Sequence, residues 1–253
     1  MRPFVCAAAA ALSAVVAHSV PAEAATTPVV HGIVHGYAWS AGQGQLRIMP
    51  RSATRVDRGG HVLHALKPLS KAKELRLDYT TATYGRVTTA CDLKETEGRV
   101  AVDRDGLGRT RCEPADLTDA LARGPVPLRA ELRNGKVTRI NEFLVADWPD
   151  PRTARGTISR INDTTVLFAT GRTRLKLGST SATGFQRTTA RCGDKWLAGR
   201  PVNADGDGLG KKNCTSADLT KVLKTAGHPV LVKIDYTPEI GSLNHVWEVY
   251  GDA

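Results

Sequence analysis

Side-chain oxygens recur at every second position in Asn203-Ala204-Asp205-Gly206-Asp207-Gly208, and Asp103 and Asp105 precede Gly106 in the same way earlier in the chain. Alternate positions of a tight loop point inward and the glycine permits a sharp reversal. Asp103, Asp105, Asn203, Asp205 and Asp207 are therefore candidate ligands for Ca²⁺. Calcium takes about six to eight oxygens, so two or three side chains per loop would hold it weakly, the second loop better because it adds Asn203. The same residues also suit a turn closed by Asx hydrogen bonds with no ion.

Histidines are the next candidates. His31 and His35 sit four apart on an expected strand, hence on one face, and with His61 and His64 they could gather zinc or copper. Solvated surface histidines fit the same spacing. The chain contains no G-x-S-x-G, H-E-x-x-H or glycine-rich phosphate loop, and no lone reactive cysteine beside a histidine. Asp92 with Glu95, or Glu95 with Glu97, would serve hydrolysis only if folding carried them into a cleft, so no catalytic residue is nominated.

Lys and Arg total 35 against 25 acids, a net charge of +10 that favours attraction to polyanions. Arg172, Arg174 and Lys176 provide a basic edge. Single-stranded nucleic acid would also need aromatic rings for base stacking. The plausible rings are only Tyr79, Tyr84, Phe168 and Phe185, which disfavours nucleic acid and leaves an electrostatic grip on an acidic polymer as the better fit.

The elements that must carry these residues come in two copies. Eleven of nineteen positions are identical between Asp103–Leu121 and Asp205–Leu223, which marks an internal duplication. Each copy owns one cysteine pair, Cys91 with Cys112 and Cys192 with Cys214, and a bond within each pair is the simplest outcome of duplicating a stapled module. Thiolate metal ligation would want CxxC spacing, which is absent.

The fifth cysteine, Cys6, lies at the start of an apolar segment. Met1-Arg2, the Ala-rich run Phe4 to Ala17 and the small-x-small site Ala22-Glu23-Ala24 together predict a signal peptide over residues 1–24. The run is too short to span a bilayer. Cleavage would remove one Arg and one Glu, leaving the charge at +10. The expected location is secreted, extracellular and oxidising.

Module one is expected over 32–146 and module two over 156–250, joined by a Pro-rich linker at 147–155. Strands are expected at 157–161, 165–169 and 173–177, then a helix with N-cap chemistry in Thr215-Ser216-Ala217-Asp218 and a stop at Gly227. In module one the helix has Pro114 in its first turn, Leu117 and Leu121 as its stripe, and Gly124 as its stop. Alternating Leu128, Ala130 and Leu132, the turn Asn134-Gly135 and a return strand complete that module. Module one also carries an insertion at about 52–72, with His61, His64, Lys67 and Lys71.

The order of three strands, helix and two strands resembles the OB-fold, a five-stranded Greek-key barrel. The opening Gly156-Thr157-Ile158-Ser159-Arg160-Ile161 and the closing Pro229-Val230-Leu231-Val232-Lys233-Ile234 are similar to small OB-like modules of exported bacterial proteins of unassigned function. The resemblance implies a fold class that is mainly β with one short helix per module: two tandem OB-like β-barrel modules, each with one disulfide. The aspartate loop itself resembles the start of an EF-hand loop, and the run from Asp103 to Cys112-Glu113 resembles short extracellular calcium loops ending in Cys-Glu. Ala101 stands where a first ligand is expected, and Cys112 and Cys214 where an EF-hand has its bidentate acid.

Retention of one loop in both copies favours bivalent binding. The expected function is a secreted non-catalytic binding module whose basic surface contacts an acidic extracellular or cell-wall polymer, or a protein partner. The alternative is a secreted hydrolase or enzyme inhibitor with its site in the module-one insertion or an inter-module cleft. Oligomeric state is left open.

Overall fold

The computed structural model describes residues 32–197 and 200–250. The expected signal peptide at 1–24, Cys6 and His31 lie outside these residues. Module one opens with β1 (Gly32–Gly42), β2 (Gln45–Ile48), β3 (Arg51–Arg58), β4 (His61–Pro68) and β5 (Leu75–Asp78). It continues through β6 (Thr83–Arg86), β7 (Thr110–Cys112), α1 (Pro114–Arg123), β8 (Val126–Arg133) and β9 (Lys136–Glu142). Module two comprises β10 (Arg152–Asn162), β11 (Thr165–Thr170), β12 (Thr173–Gly178), β13 (Gly184–Arg187) and β14 (Lys212–Cys214). It ends with α2 (Ser216–Ala226), β15 (Val230–Thr237) and β16 (Ser242–Glu248). Without β3 and β4 the two orders are the same.

Both modules are β-barrel-like. In module two the strands lie in the order β12-β11-β10-β15-β16, and a parallel bridge from Gly178 to Ser242 returns β12 to β16. Module one follows the corresponding order β5-β2-β1-β8-β9. Beyond β9 and β16 each sheet continues into the short pairs β6-β7 and β13-β14. Among the described residues no helix is long and apolar enough to cross a membrane.

Local sequence explains the repeated parts. Inward residues of β8 (Val126, Leu128, Ala130, Leu132) and β15 (Val230, Val232, Ile234, Tyr236) are buried at every second position, the period of a half-covered strand. At the β8–β9 reversal Asn134 and Gly135 have φ of 52° and 75°, as a type I′ turn requires. Thr215 caps α2 by accepting from Asp218 N, Asp218 returns the bond to the Thr215 amide, and Gly227 ends the helix left-handed at φ 67°. Leu117 and Leu121 of α1 and Leu219 and Leu223 of α2 enter the two cores.

Cys91 bonds Cys112 and Cys192 bonds Cys214, each with Cα atoms 5.6 Å apart, so each module is stapled internally as expected. Three features differ from the expected plan. The short strands β6, β7, β13 and β14 are additional; at three or four residues each they are too brief for alternation to reveal. The module-one insertion is a regular hairpin, paired from Arg51 with Pro68 to Arg58 with His61. Chain expected to be linker is already strand from Arg152, which pairs with Tyr236, so Trp148-Pro149-Asp150-Pro151 is the irregular part.

Candidate functional site

The duplicated aspartates form two equivalent turns. Asp103 Oδ1 accepts from the amides of Asp105 and Leu107, both at 2.9 Å, and Asp205 Oδ1 accepts from those of Asp207 (2.9 Å) and Leu209 (2.8 Å). The leading carboxylate of each loop thus spends one oxygen on its own backbone. Asn203 donates its side-chain amide to the Thr189 carbonyl at 2.8 Å.

Among the described residues, the groups of three acids, histidines or cysteines close enough to share an ion are Cys91, Cys112, Asp116 and Cys192, Cys214, Asp218. In both, two members are sulfurs already consumed by the disulfide. Asp205→Ala is expected to cost about 1–2 kcal/mol, because two amides lose one acceptor, whereas Asp207→Ala should stay within about 0.5 kcal/mol. Thermal melts in millimolar calcium and in chelator check this. The same loss in both conditions marks a turn, and a calcium-dependent rise in Tm abolished by the two substitutions marks an ion site.

The insertion folds down on the first of these turns. His64 donates from Nε2 to the Asp105 carbonyl at 2.9 Å, Arg55 donates from Nη1 to the Arg104 carbonyl at 3.1 Å, and a side chain on Gly106 would meet the Val62 carbonyl at 2.6 Å. His35 and His64 stack at 6.4 Å and both rings lean on Phe143, while His61 stays exposed at the start of β4. Burial, then the charges of Arg129 and His64, push the His35 imidazole down to about 4, so it is neutral at neutral pH. Two of the expected histidines meet, as packing partners of a phenylalanine.

Both modules contain a buried ion pair that the sequence did not announce. Arg187 and Glu248, wholly buried side chains on β13 and β16, pair side-on: Nε to Oε2 at 3.2 Å and Nη2 to Oε1 at 3.0 Å. Glu248 also accepts from the amides of Thr188 (2.9 Å) and Leu197 (2.8 Å), and Arg187 Nη1 donates to the carbonyls of Cys192 (2.8 Å) and Asp194 (2.6 Å). In module one Arg86 Nε meets Glu142 at 3.2 Å, Nη1 donates to the Leu93 carbonyl at 2.8 Å, and Tyr84 donates its hydroxyl to Glu142. Each clamp holds the start of a disulfide loop on its barrel. The available signal was the five-residue spacing from arginine to cysteine in both copies, with a glutamate ending each last strand.

Glu95 lines a cavity of about 360 Å³ beside Lys94 and Arg123, where the other carboxylate is Glu142, already held by Arg86. The four aromatic rings considered for base stacking, Tyr79, Tyr84, Phe168 and Phe185, all sit in the barrel cores.

A cleft with converging charges does exist between the modules. On β1 and β2, Trp39 and Arg47 are cross-strand partners whose side chains point away from the core residues Ala38, Leu46 and Ile48. Module two covers them. Trp39 Nε1 donates to the Ile240 carbonyl at 2.9 Å, and a Cβ on Gly178 would lie 2.5 Å from the Trp39 ring and 2.8 Å from Arg47 Nη2. Glu74 bridges the modules, accepting from Arg47 Nη1 at 3.3 Å and from Lys176 Nζ at 2.6 Å. Burial opposes ionisation of Glu74, yet Lys176 and Arg47 outweigh it and hold the carboxyl below its ordinary range.

The cleft encloses about 360 Å³, and Arg47, Arg51, Arg174 and Lys176 converge on it against Glu74 and Glu239. Of the expected basic edge, Arg174 and Lys176 line this cleft and Arg172 lies outside it, exposed in the β11–β12 turn. Arg51 sits over the Tyr37 ring at 5.5 Å, a cation–π arrangement that fixes its direction. An excess of cations in a concave, partly apolar wall is suited to an anionic ligand. Comparison of the chain with protein-family models, curated proteins and solved structures finds no match.

Proposed function

We propose that the chain is a secreted, non-catalytic binding protein of two OB-like modules that grips an acidic extracellular polymer in the cleft between them. The observation that carries this reading is the convergence of Arg47, Arg51, Arg174 and Lys176 on one inter-module cleft with only two acids opposite. The ring order β12-β11-β10-β15-β16 with its parallel closure supports the OB-like description. Two disulfides suit an oxidising compartment. Tyr79, Tyr84, Phe168 and Phe185 lie in the barrel cores and cannot stack on bases, which favours electrostatics as the grip.

Retention on immobilised acidic wall polymer or a heparin-like resin tests the reading. Affinity should fall steeply between low and physiological salt, since exposed charges are screened within about 10 Å at 0.1 M. Arg51→Ala combined with Arg174→Ala should elute earlier and with a shallower salt dependence. Retention that ignores both salt and these substitutions would remove the proposal.

A further inference from the structure

We infer that the cavity beside α1 in module one receives the side chain of a tryptophan presented by an acidic segment of a partner protein. It shares no lining residue with the inter-module cleft and does not depend on the polyanion reading.

Module two shows how the corresponding place is closed. The clamps define the equivalence: Arg86 Nη1 and Arg187 Nη1 each donate to the carbonyl of the cysteine five residues on and to that of the residue two beyond it. Glu95 and Thr96 of module one therefore answer to Trp196 and Leu197 of module two. In module two this pair shuts over the clamp. The Trp196 ring stacks on Phe185 at 6.1 Å and lies 5.8 Å from the Arg187 guanidinium. The Leu197 amide donates to Glu248 at 2.8 Å, and Arg187 Nη2 donates to the Lys195 carbonyl at 3.0 Å.

Among the described residues none of these contacts has a counterpart in module one. Glu142 accepts from Tyr84, Arg86 and the Val87 amide, and Arg86 holds the loop through Nη1 alone. Arg86, Glu142, Glu95 and Thr96 instead line the cavity of about 360 Å³. The remaining wall is largely apolar, with Val87, Ala120, Val126, Pro127, Val145 and Trp148. The mouth is accessible, since Lys94 and Glu95 are exposed and Trp148 is 54% exposed.

An apolar cavity of this size suits one large ring, and tryptophan offers a broad rigid surface at little cost in rotamer freedom. An incoming indole would meet Arg86 as Trp196 meets Arg187, a cation–π arrangement. Charge sets the character of the partner. Glu142 is matched by Arg86, and Lys94 and Arg123 then stand against Glu95 alone in a chain of net charge +10. Acidic residues beside the tryptophan are therefore favoured.

Titrations followed by methyl NMR test the inference, with the peptides acetyl-Glu-Trp-Glu-amide, acetyl-Glu-Ala-Glu-amide and acetyl-Lys-Trp-Lys-amide. The acidic tryptophan peptide should bind at least about tenfold tighter than the alanine peptide, because an indole leaves water. It should also bind tighter than the lysine peptide, and it should shift the methyl resonances of Val87, Val126 and Val145. Glu95→Trp with Thr96→Leu gives module one the pair that closes module two and should reduce the tryptophan peptide to the level of the alanine peptide. Arg174→Ala, in the inter-module cleft, should change this binding less than about twofold.

Equal affinity for the tryptophan and alanine peptides overturns the inference. So does a tryptophan preference that survives the paired substitution or leaves the three valines unmoved, and so does a lysine peptide that binds as well as the acidic one. Indole-3-acetate binding as tightly as the acidic tryptophan peptide would give the cavity to a free aromatic acid. A concentration-dependent dimer dissociated by the paired substitution would give it to a second copy of the chain. Either result overturns the assignment to a partner protein.

Discussion

Glu248→Ala is expected to destabilise module two by about 3–5 kcal/mol, the largest single-residue effect anticipated in the chain. Removing the carboxylate strands the Arg187 guanidinium in a site where both side chains are wholly buried. It also takes the acceptor from the buried Thr188 amide and from the partly buried Leu197 amide. Replacing both partners with leucine should recover part of the loss, because the stranded charge leaves with its partner and the ion pair itself carries a desolvation penalty. Denaturant unfolding of Arg187→Leu, Glu248→Leu and the double-leucine variant with disulfides intact, read as a double-mutant cycle, measures the coupling. A loss below about 1 kcal/mol for Glu248→Ala would show that the pair is far better hydrated than its burial implies.

Removing the second staple, with Cys192→Ser and Cys214→Ser together, should cost about 3 kcal/mol by loop-entropy arithmetic for a sequence separation of 22. The clamp qualifies that figure. Arg187 holds the carbonyls of Cys192 and Asp194, so the loop keeps a second tether when the sulfurs are gone, and the double-serine protein should still fold. Combining it with Glu248→Ala should unfold module two, because both changes release the same segment and their summed cost of about 6–8 kcal/mol passes the lower end of a small domain's margin of roughly 5–15 kcal/mol. Circular dichroism melts of the three variants check this order. Peptide mapping under non-reducing conditions should recover Cys91 with Cys112 and Cys192 with Cys214, the bonds seen in the structure.

Much of the architecture could be read from neighbouring residues. The repeat from Asp103 to Leu121 and from Asp205 to Leu223 showed two modules and their staples. The capping residues Thr215 and Asp218 showed where α2 begins, Asn134-Gly135 showed a hairpin, and the alternation of β8 and β15 showed which side chains go inward. The staples followed from comparing the two copies, whereas the cap, the hairpin turn and the alternation depend on contacts within a few positions, where backbone geometry and side-chain type suffice. The aspartate turn is of the same kind: Asp205 bonds amides two and four residues on, and the sequence already offered that reading beside calcium.

The charges that matter most were not legible in this way. Arg187 meets a glutamate 61 positions away, and Lys176 meets Glu74 across 102 positions. Arg174 and Lys176 read as an open basic edge, and Arg47 read as nothing in particular. What turned them into a cleft is the laying of module two over the outward face of β1 and β2, with Gly178 and Ile240 against Trp39. Sequence pattern determined which face of each strand enters its own barrel, because that choice is made locally by alternation. Only the tertiary structure decided which outward faces are then covered, because the cost of burying a charge depends on distant groups that either reach it or leave it unpaired.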